Sequence, residues 1–263
     1  MSQREHQAVY ILDVLELDIQ TKEIIKSSIN EISRGAKRGK KELMSIVIKD
    51  LLIFLERQDE NKVKGTVAEF FIHLFLRSQD FEQHCCFMNL EENSMKKGFD
   101  GLYTHEGETW IMESKSTAYK TSSGKHNQNL SKAYQGLKKS MKRSGNSGNN
   151  SWSNALNHTY IASNESDTTD SLRDKLLSAS NKYVNNVELD LGEYNIIPCS
   201  TIFIEDYSGE IYKSSHDEIF QSVNKHVCNK EVVLCVMNRS VNIFIECLEE
   251  LLCELDGDAN EKQ

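Results

Sequence analysis

The sequence predicts an α/β fold, because segments with helical periodicity alternate with short apolar runs that resemble β-strands. The clearest helix is 64–76, where apolar side chains recur at the spacing of one helix face. The clearest strands are 98–103 and 109–115, which form a predicted hairpin around the glycine-containing turn 105–108. A later run, 193–205, is dominated by β-branched and aromatic residues and predicts a further strand of the same sheet.

The first part of the chain predicts helices. Residues 7–60 contain two apolar stripes, so we expect an N-terminal helical region at 1–60 that packs on the core. The segment between the stripes, 34–41, is basic, and phosphate binding and a solvated loop explain it equally well. The stripes comprise Ile24, Ile25, Ile29 and Ile32, then Ile46, Ile48, Leu51, Leu52 and Leu55.

The predicted hairpin brings three ionisable side chains together. Glu113 and Lys115 are two positions apart on one strand, so they share a face of the sheet. Asp100 lies on the neighbouring strand and can meet them there. The sequence therefore predicts two carboxylates and one ammonium at one point, at the end of an apolar run where ionised groups need partners or a metal.

This trio is suited to metal-assisted hydrolysis of a phosphodiester bond. Carboxylates are the ligands that Mg²⁺ or Mn²⁺ accepts, and a bound cation can activate water. Lys115 can orient the attacking water or stabilise the charge of the transition state. A lone Glu-x-Lys pair is also compatible with an ordinary solvated strand.

Glu69 is a third candidate acid. It lies within the apolar segment of the 64–76 helix, next to small residues that permit close packing on a sheet. One interpretation is a carboxylate at the edge of the apolar stripe that reaches solvent. The other is an acid that points from this helix towards the metal site.

The order of these motifs resembles the PD-(D/E)xK nuclease superfamily over residues 62–145. The resemblance implies a three-layer α/β nuclease-like core with a mixed central sheet. It implies that Asp100, Glu113 and Glu69, with the carbonyl of Ser114, bind the metal, and that Lys115 is the catalytic lysine. The chain also resembles the HamA-type nuclease subunit of the Hachiman antiphage system, which works beside a helicase.

The segment that follows Glu113 is basic, although the whole chain has a net charge of −9. No Asp or Glu interrupts residues 115–143, and phosphate neutralisation dominates sequence-independent nucleic-acid affinity. We expect a helix at 127–141 that presents this segment to nucleic acid, with a solvated helix face as the alternative. The candidate nucleic-acid contacts are Lys120, Lys125, Gln128, Lys132, Gln135, Lys138, Lys139, Lys142 and Arg143.

The remaining segments complete a predicted nuclease domain at 61–255. We expect a flexible loop near 144–165, helices at 167–184, 216–226 and 241–255, and a disordered acidic tail at 256–263. The run 231–237 fits a strand or a buried helix. Pro198, the single proline, suggests an edge strand or the start of a strand.

Composition indicates a cytoplasmic protein. The chain has 263 residues, no membrane-length apolar run and no secretory signal at its N-terminus. Its seven cysteines form no CxxC pair, so we expect reduced thiols. It also has no phosphate-binding loop and no dinucleotide fingerprint, so any ATP-driven step requires a helicase or ATPase partner.

The predicted function is that of a metal-dependent deoxyribonuclease, the effector of an antiphage complex. Two alternatives remain open at this point. The chain can be a catalytically silent nuclease-like module that binds nucleic acid or assembles a complex. The charged trio can also be a structural ion network on an unrelated α/β fold.

Overall fold

The computed structural model describes residues 6–88, 98–119, 124–143, 150–204 and 216–260, with side chains described as far as residue 257. The strands in these ranges are β1 (Gln7–Val14), β2 (Glu82–Gln83), β3 (Gly101–His105), β4 (Glu108–Ala118), β5 (Asn195–Phe203) and β6 (Glu231–Asn238). The helices are α1 (Ile19–Arg34), α2 (Ala36–Gly39), α3 (Met44–Glu56), α4 (Glu60–Ser78), α5 (His126–Lys139), α6 (Ser151–Ala162), α7 (Asp167–Val184), α8 (His216–Val223) and α9 (Asn242–Asn260). Across these ranges, no helix has the length and apolarity needed to span a bilayer.

The strands form one mixed sheet in the order β1-β6-β5-β4-β3-β2. β1, β6, β5 and β4 pair in parallel with one another, β3 pairs antiparallel with β4, and β2 pairs antiparallel with β3. The predicted α/β class, the mixed sheet and the hairpin before Glu113 are confirmed. β4 lies in the interior of the sheet: its residues 108–112 pair with β3, and its residues 110–118 pair with β5.

Helices cover both faces of the sheet, as in a three-layer core. Ile72 of α4 packs with Trp110 and Met112 on one face. Ile111, which projects from the other face, belongs to a core with α5, α6 and α7. α1, α3 and α9 add a further apolar cluster around Phe70 of α4.

The helical prediction for residues 7–60 is wrong at its beginning, because Gln7–Val14 form β1. This strand pairs in parallel with β6, from Gln7 opposite Glu231 to Val14 opposite Asn238. Helix begins only at α1, where the carboxylate of Asp18 accepts a hydrogen bond of 2.7 Å from the backbone N–H of Thr21. The remaining helical prediction for this region is confirmed by α1 and α3.

Two segments that we expected to lack structure contain helix. α6 lies inside the predicted loop at 144–165, where Asn150 caps its first turn and Trp152 is buried. α9 runs through Asn260 and so extends into the predicted tail. The glycine- and asparagine-rich residues 144–149 and the last residues, 261–263, lie outside the described part of the chain.

The later predictions are otherwise confirmed, with one exception. α5, α7, α8, α9 and β5 occur where helices and a strand were expected, and the ambiguous run 231–237 is strand β6. Pro198, however, lies in the middle of β5, an interior strand, and so its predicted edge position is wrong. The backbone N–H of Ile196 points to β6, and the backbone at position 198, two residues later, faces the same strand. Proline has no N–H to donate there, and the β5–β6 pairing omits Ile197 and Pro198.

Candidate active site

Asp100 and Glu113 lie on the same face of the sheet. The β3–β4 register pairs Gly101 with Met112, which places Asp100, just before β3, opposite Glu113. The carboxylate of Asp100 accepts a hydrogen bond of 2.7 Å from the backbone N–H of Ser114. Asp100 thus continues the strand pairing with its side chain, and this contact fixes its carboxylate beside β4.

Lys115 meets Glu113 on that face, as the alternation along β4 predicts. Its ammonium donates hydrogen bonds to Glu113 Oε1 at 2.6 Å and to the carbonyl of Ser114 at 2.9 Å. Both acceptors are atoms that the resemblance to nucleases assigns to a metal. Lys115 therefore supplies the positive charge at this point of the described structure.

Helix α5 approaches the site closely at Gly136. A Cβ atom built on Gly136 would lie only 2.8 Å from Oε1 and 3.0 Å from Cδ of Glu113. The helix backbone therefore forms one wall of the site, and any larger residue would collide with the carboxylate. This contact also shows that Glu113 projects towards α5 rather than α4.

Burial and mutual repulsion perturb the acids. Burial raises the pKa of Asp100 well above its usual value, and the charges of Glu113 and Glu69 raise it further. Burial also raises the pKa of Glu113, although Lys115 opposes this shift. Burial lowers the pKa of Lys115, but the neighbouring carboxylates outweigh it, so the net shift of this pKa is upward. The site thus concentrates negative charge in a poorly solvated place.

Glu69 reaches this region from α4, which packs on the other face of the sheet. Its carboxylate is near enough to raise the pKa of both Asp100 and Glu113. It also contacts His73, one helical turn later, with 3.3 Å between Oε1 and Nε2. The side chain is 15% exposed, so it is neither a fully solvated residue nor a fully buried one.

The donors fit a hard divalent cation by their chemistry, since they are carboxylates and a carbonyl oxygen. Their mutual repulsion is the kind of imbalance that a cation offsets. In the described residues, no group of three or more His, Cys, Asp and Glu side chains is arranged closely enough to hold a metal ion. Asp100 and Glu113, which lie opposite one another on adjacent chain segments, are therefore the pair around which any such site would form.

The basic residues of α5 lie beside this centre. Lys132 and Lys139 precede and follow Gly136 by one helical turn, and Gln128, Gln135 and Lys138 are also exposed. Lys125 and Lys142 have acidic neighbours from elsewhere in the chain, at 3.8 Å from Glu218 and 3.6 Å from Glu188. Arg143 is exposed, whereas Lys120 lies outside the described residues.

The other basic segment, 34–41, is largely neutralised. Arg34 is buried and pairs with Asp50 and with Glu42, and Arg38 also binds Glu42. Lys37 contacts Glu165 at 3.1 Å. These pairings favour a structural role for the segment over phosphate binding.

Sequence reasoning missed three residues that shape the site. Gly136 carries no chemical signal, and its role depends on how closely α5 approaches β4. His73 and Tyr103 are fully buried and form a hydrogen bond between Nδ1 and the phenol. The spacing of Glu69 and His73, four residues apart in a helical pattern, was a usable signal for their contact.

Comparison with known families identifies a match that covers most of the chain. The family described as HamA matches residues 12–250, which include every strand except the start of β1 and all of the site residues named above. No curated protein matches the chain.

Proposed function

Because the chain belongs to the HamA family, that of the nuclease-like subunit of the Hachiman antiphage defence system, we propose that it is a metal-dependent nuclease that cleaves DNA. The observation that carries this proposal is the convergence of Asp100, Glu113 and Lys115 on one face of the sheet. Two acids that can hold a cation, with a lysine beside them, can support metal-assisted hydrolysis of a phosphodiester.

Each residue has a distinct role in this proposal. Asp100, Glu113 and the carbonyl of Ser114 would hold Mg²⁺ or Mn²⁺, with Glu69 as an accessory acid. When bound, such a cation supplies Lewis-acid activation of the phosphoryl group and of a water. Lys115 orients the attacking water or stabilises charge on the phosphoryl oxygens, because its ammonium is held at the same point by Glu113.

The exposed cations of α5 would bind the substrate backbone. Lys132, Lys138 and Lys139 project from the helix whose backbone forms a wall of the site. A chain of net charge −9 needs such a concentrated positive surface to approach a polyanion. Phosphates held along α5 would lie beside Glu113, where the scissile bond must be.

We assign any ATP-driven step to a helicase or ATPase partner in the cytoplasm. The sequence has no phosphate-binding loop, so this chain offers no nucleotide site of that kind. Its membership of a defence family supports an antiphage role, in which a partner delivers DNA to the nuclease. Co-purification of this protein with an ATPase, from cells that also express the proteins encoded next to it, tests this assignment.

The decisive experiment compares cleavage by the wild type with that by Glu113→Gln and Glu108→Gln. Purified proteins are incubated with plasmid DNA, linear DNA and RNA in Mg²⁺, Mn²⁺ or EDTA. Glu108 is the matched control, because it is on the same strand but pairs with Lys230 at 2.6 Å. We expect Glu113→Gln to lose at least about 100-fold in rate and Glu108→Gln to retain activity. Equal activity of the wild type and Glu113→Gln would exclude this site.

A binding or assembly role is the second candidate function. It is favoured by the absence of a ready-made three-ligand group among the described side chains and by the bond from Lys115 to Glu113. In the same experiment, this role predicts retention of DNA without cleavage in Mg²⁺ or Mn²⁺. It also predicts that Glu113→Gln leaves DNA binding unchanged.

A further inference from the structure

A buried chain of hydrogen bonds leads from the core of the protein to Glu69. His73 lies one turn after Glu69 on α4, and its two ring nitrogens have different partners. Nε2 is 3.3 Å from Glu69 Oε1, and Nδ1 contacts the hydroxyl of Tyr103. His73 and Tyr103 are both 0% exposed, so neither can exchange these partners for water.

The packing around Tyr103 fixes its hydroxyl. Tyr103 belongs to β3, three residues after Asp100, and its ring lies over Gly101, where a Cβ atom would be 2.7 Å from the ring. Phe81 packs against the ring edge at a centroid distance of 6.1 Å. Because the ring is enclosed in this way, the hydroxyl is held at the nitrogen of His73.

The chemistry of Tyr103, His73 and Glu69 determines which group donates each hydrogen bond. An ionised carboxylate only accepts hydrogen bonds, so opposite an ionised Glu69 the Nε2 of His73 carries the proton. The Nδ1 of the neutral ring is then an acceptor, and the buried phenol donates to it. The opposite tautomer would place a lone pair against the carboxylate.

We propose that Tyr103 and His73 are positioning residues that hold the carboxylate of Glu69 in a fixed orientation towards Asp100 and Glu113. The proposal rests on the proposed function, in which Glu69 is the accessory acid. It adds two residues that touch neither substrate nor metal. Partners of this kind usually change metal affinity or activity by about 10- to 100-fold when they are removed.

The test begins with the tautomer of His73, which does not depend on catalysis. Nitrogen-15 correlation spectra of the wild type should show the Nε2–H form for His73. Addition of Mg²⁺ should shift the resonances of His73 and leave those of His84 unchanged. His84 is the internal control, because it is also fully buried but bonds to Ser163 at 2.8 Å and Thr104 at 2.7 Å. The proposal is wrong if His73 has its proton on Nδ1, or if the resonances of His73 do not shift when Mg²⁺ is added.

The second arm uses Tyr103→Phe, with Tyr134→Phe as the matched control. Tyr134 is also buried, but its hydroxyl bonds to the backbone of Val227, outside the site. We expect Tyr103→Phe to weaken Mn²⁺ binding and lower kcat by about 10-fold, with little change in the KM for DNA. If both variants behave alike, the proposal is wrong. If the wild type binds Mn²⁺ but does not cleave DNA, the proposed nuclease function is wrong. The tautomer of His73 and the Mn²⁺ affinities of the variants would still decide whether His73 and Tyr103 position Glu69.

Discussion

Lys115 occupies the centre of the site at the scale of single residues. Lys115→Ala removes the ammonium that bonds to Glu113 and to the carbonyl of Ser114. We expect cleavage to fall by about 100-fold or more, because the variant lacks the charge that the proposed mechanism uses to stabilise the transition state. DNA affinity should change little, since one phosphate contact is minor beside the exposed lysines of α5.

The same substitution should strengthen metal binding. Without Lys115, the carboxylate of Glu113 loses its cation and gains affinity for Mn²⁺, which calorimetry of the apo-protein measures. Lys138→Ala is the control, because it removes an exposed lysine of α5 and leaves the acids untouched. Wild-type turnover by Lys115→Ala would remove this residue from the mechanism.

Gly136 is the residue at which α5 touches the acid. In Gly136→Ala, the new methyl group would meet Glu113 Oε1 at 2.8 Å, so either the carboxylate or the helix must shift. We expect kcat to fall by about 10-fold, since misplacement of a reacting group by a fraction of an ångström is costly. Rates at saturating DNA measure this loss.

Gly257→Ala provides the matched control for that substitution. Gly257 lies in α9 with no other atom within 4 Å of a built Cβ. Alanine is favoured over glycine in a helix by about 1 kcal/mol, so Gly257→Ala should raise the melting temperature and keep full activity. A Gly136→Ala variant with the same gain and normal kcat would show that the close approach has no role.

The residues that could be predicted from the sequence are those whose chemistry depends on local spacing. Glu113 and Lys115 share a face because strand side chains alternate. The short loop of the hairpin fixes the register of the two strands, and this register places Asp100 opposite Glu113. Gly136, His73 and Tyr103 could not be assigned in this way. Their roles depend on the distance between two layers, which no local pattern specifies.

At the scale of elements, α5 is the helix whose exposed lysines support the proposed binding of nucleic acid. Reversal of Lys132, Lys138 and Lys139 to Glu should weaken DNA binding and flatten its salt dependence. For every phosphate that the variant no longer neutralises, the slope of log affinity against log salt should fall by about 0.7 to 0.9. All three side chains are exposed, so the circular dichroism spectrum should stay unchanged.

The second basic segment supplies the comparison. Lys40 and Lys41 are exposed and adjacent to the neutralised residues of 34–41, so their reversal to Glu should leave the salt slope unchanged. If the α5 variant also keeps the wild-type slope but no longer co-purifies with a partner, α5 is a docking surface for that partner. An unchanged slope with an intact complex would leave α5 as a solvated face.

Elements were predictable where a local pattern dominates. α7 begins and ends where the apolar spacing indicates, because Leu172 and Leu176 are buried on one face. β1 was not predictable, since its partner is β6, more than 200 residues later. The interior position of Pro198 was not predictable either. An interior strand can tolerate a proline where its pairing with one neighbour is interrupted, as the β5–β6 pairing is at residues 197 and 198.

At the scale of the whole molecule, stability should depend on pH through His126. This side chain is buried at the start of α5, with Nδ1 at 2.7 Å from Ser200 Oγ, and burial lowers its pKa from 6.5 to about 4. Between these values the unfolded chain binds a proton that the native protein excludes. Stability therefore rises with pH across this window and is lost as pH falls.

The magnitude can be checked with His126→Gln. From pH 7 to pH 5, the histidine should cost the wild type about 2 kcal/mol of unfolding free energy, and this loss should be absent from the variant. Urea denaturation of both proteins at the two pH values measures the difference. Equal losses would mean that His126 does not set the acid sensitivity.

The pairing of β1 with β6 has a consequence for biosynthesis. The residues of the site, from Glu69 to Lys115, leave the ribosome early, but β1 must wait for residues 231–238 before its partner exists. Parallel pairing between distant segments is slow to form, because a long loop must close first. A nascent chain therefore carries the acids and the lysine without the finished sheet. If the proposed nuclease function holds, the order of synthesis delays a competent site until nearly all of the protein has been made.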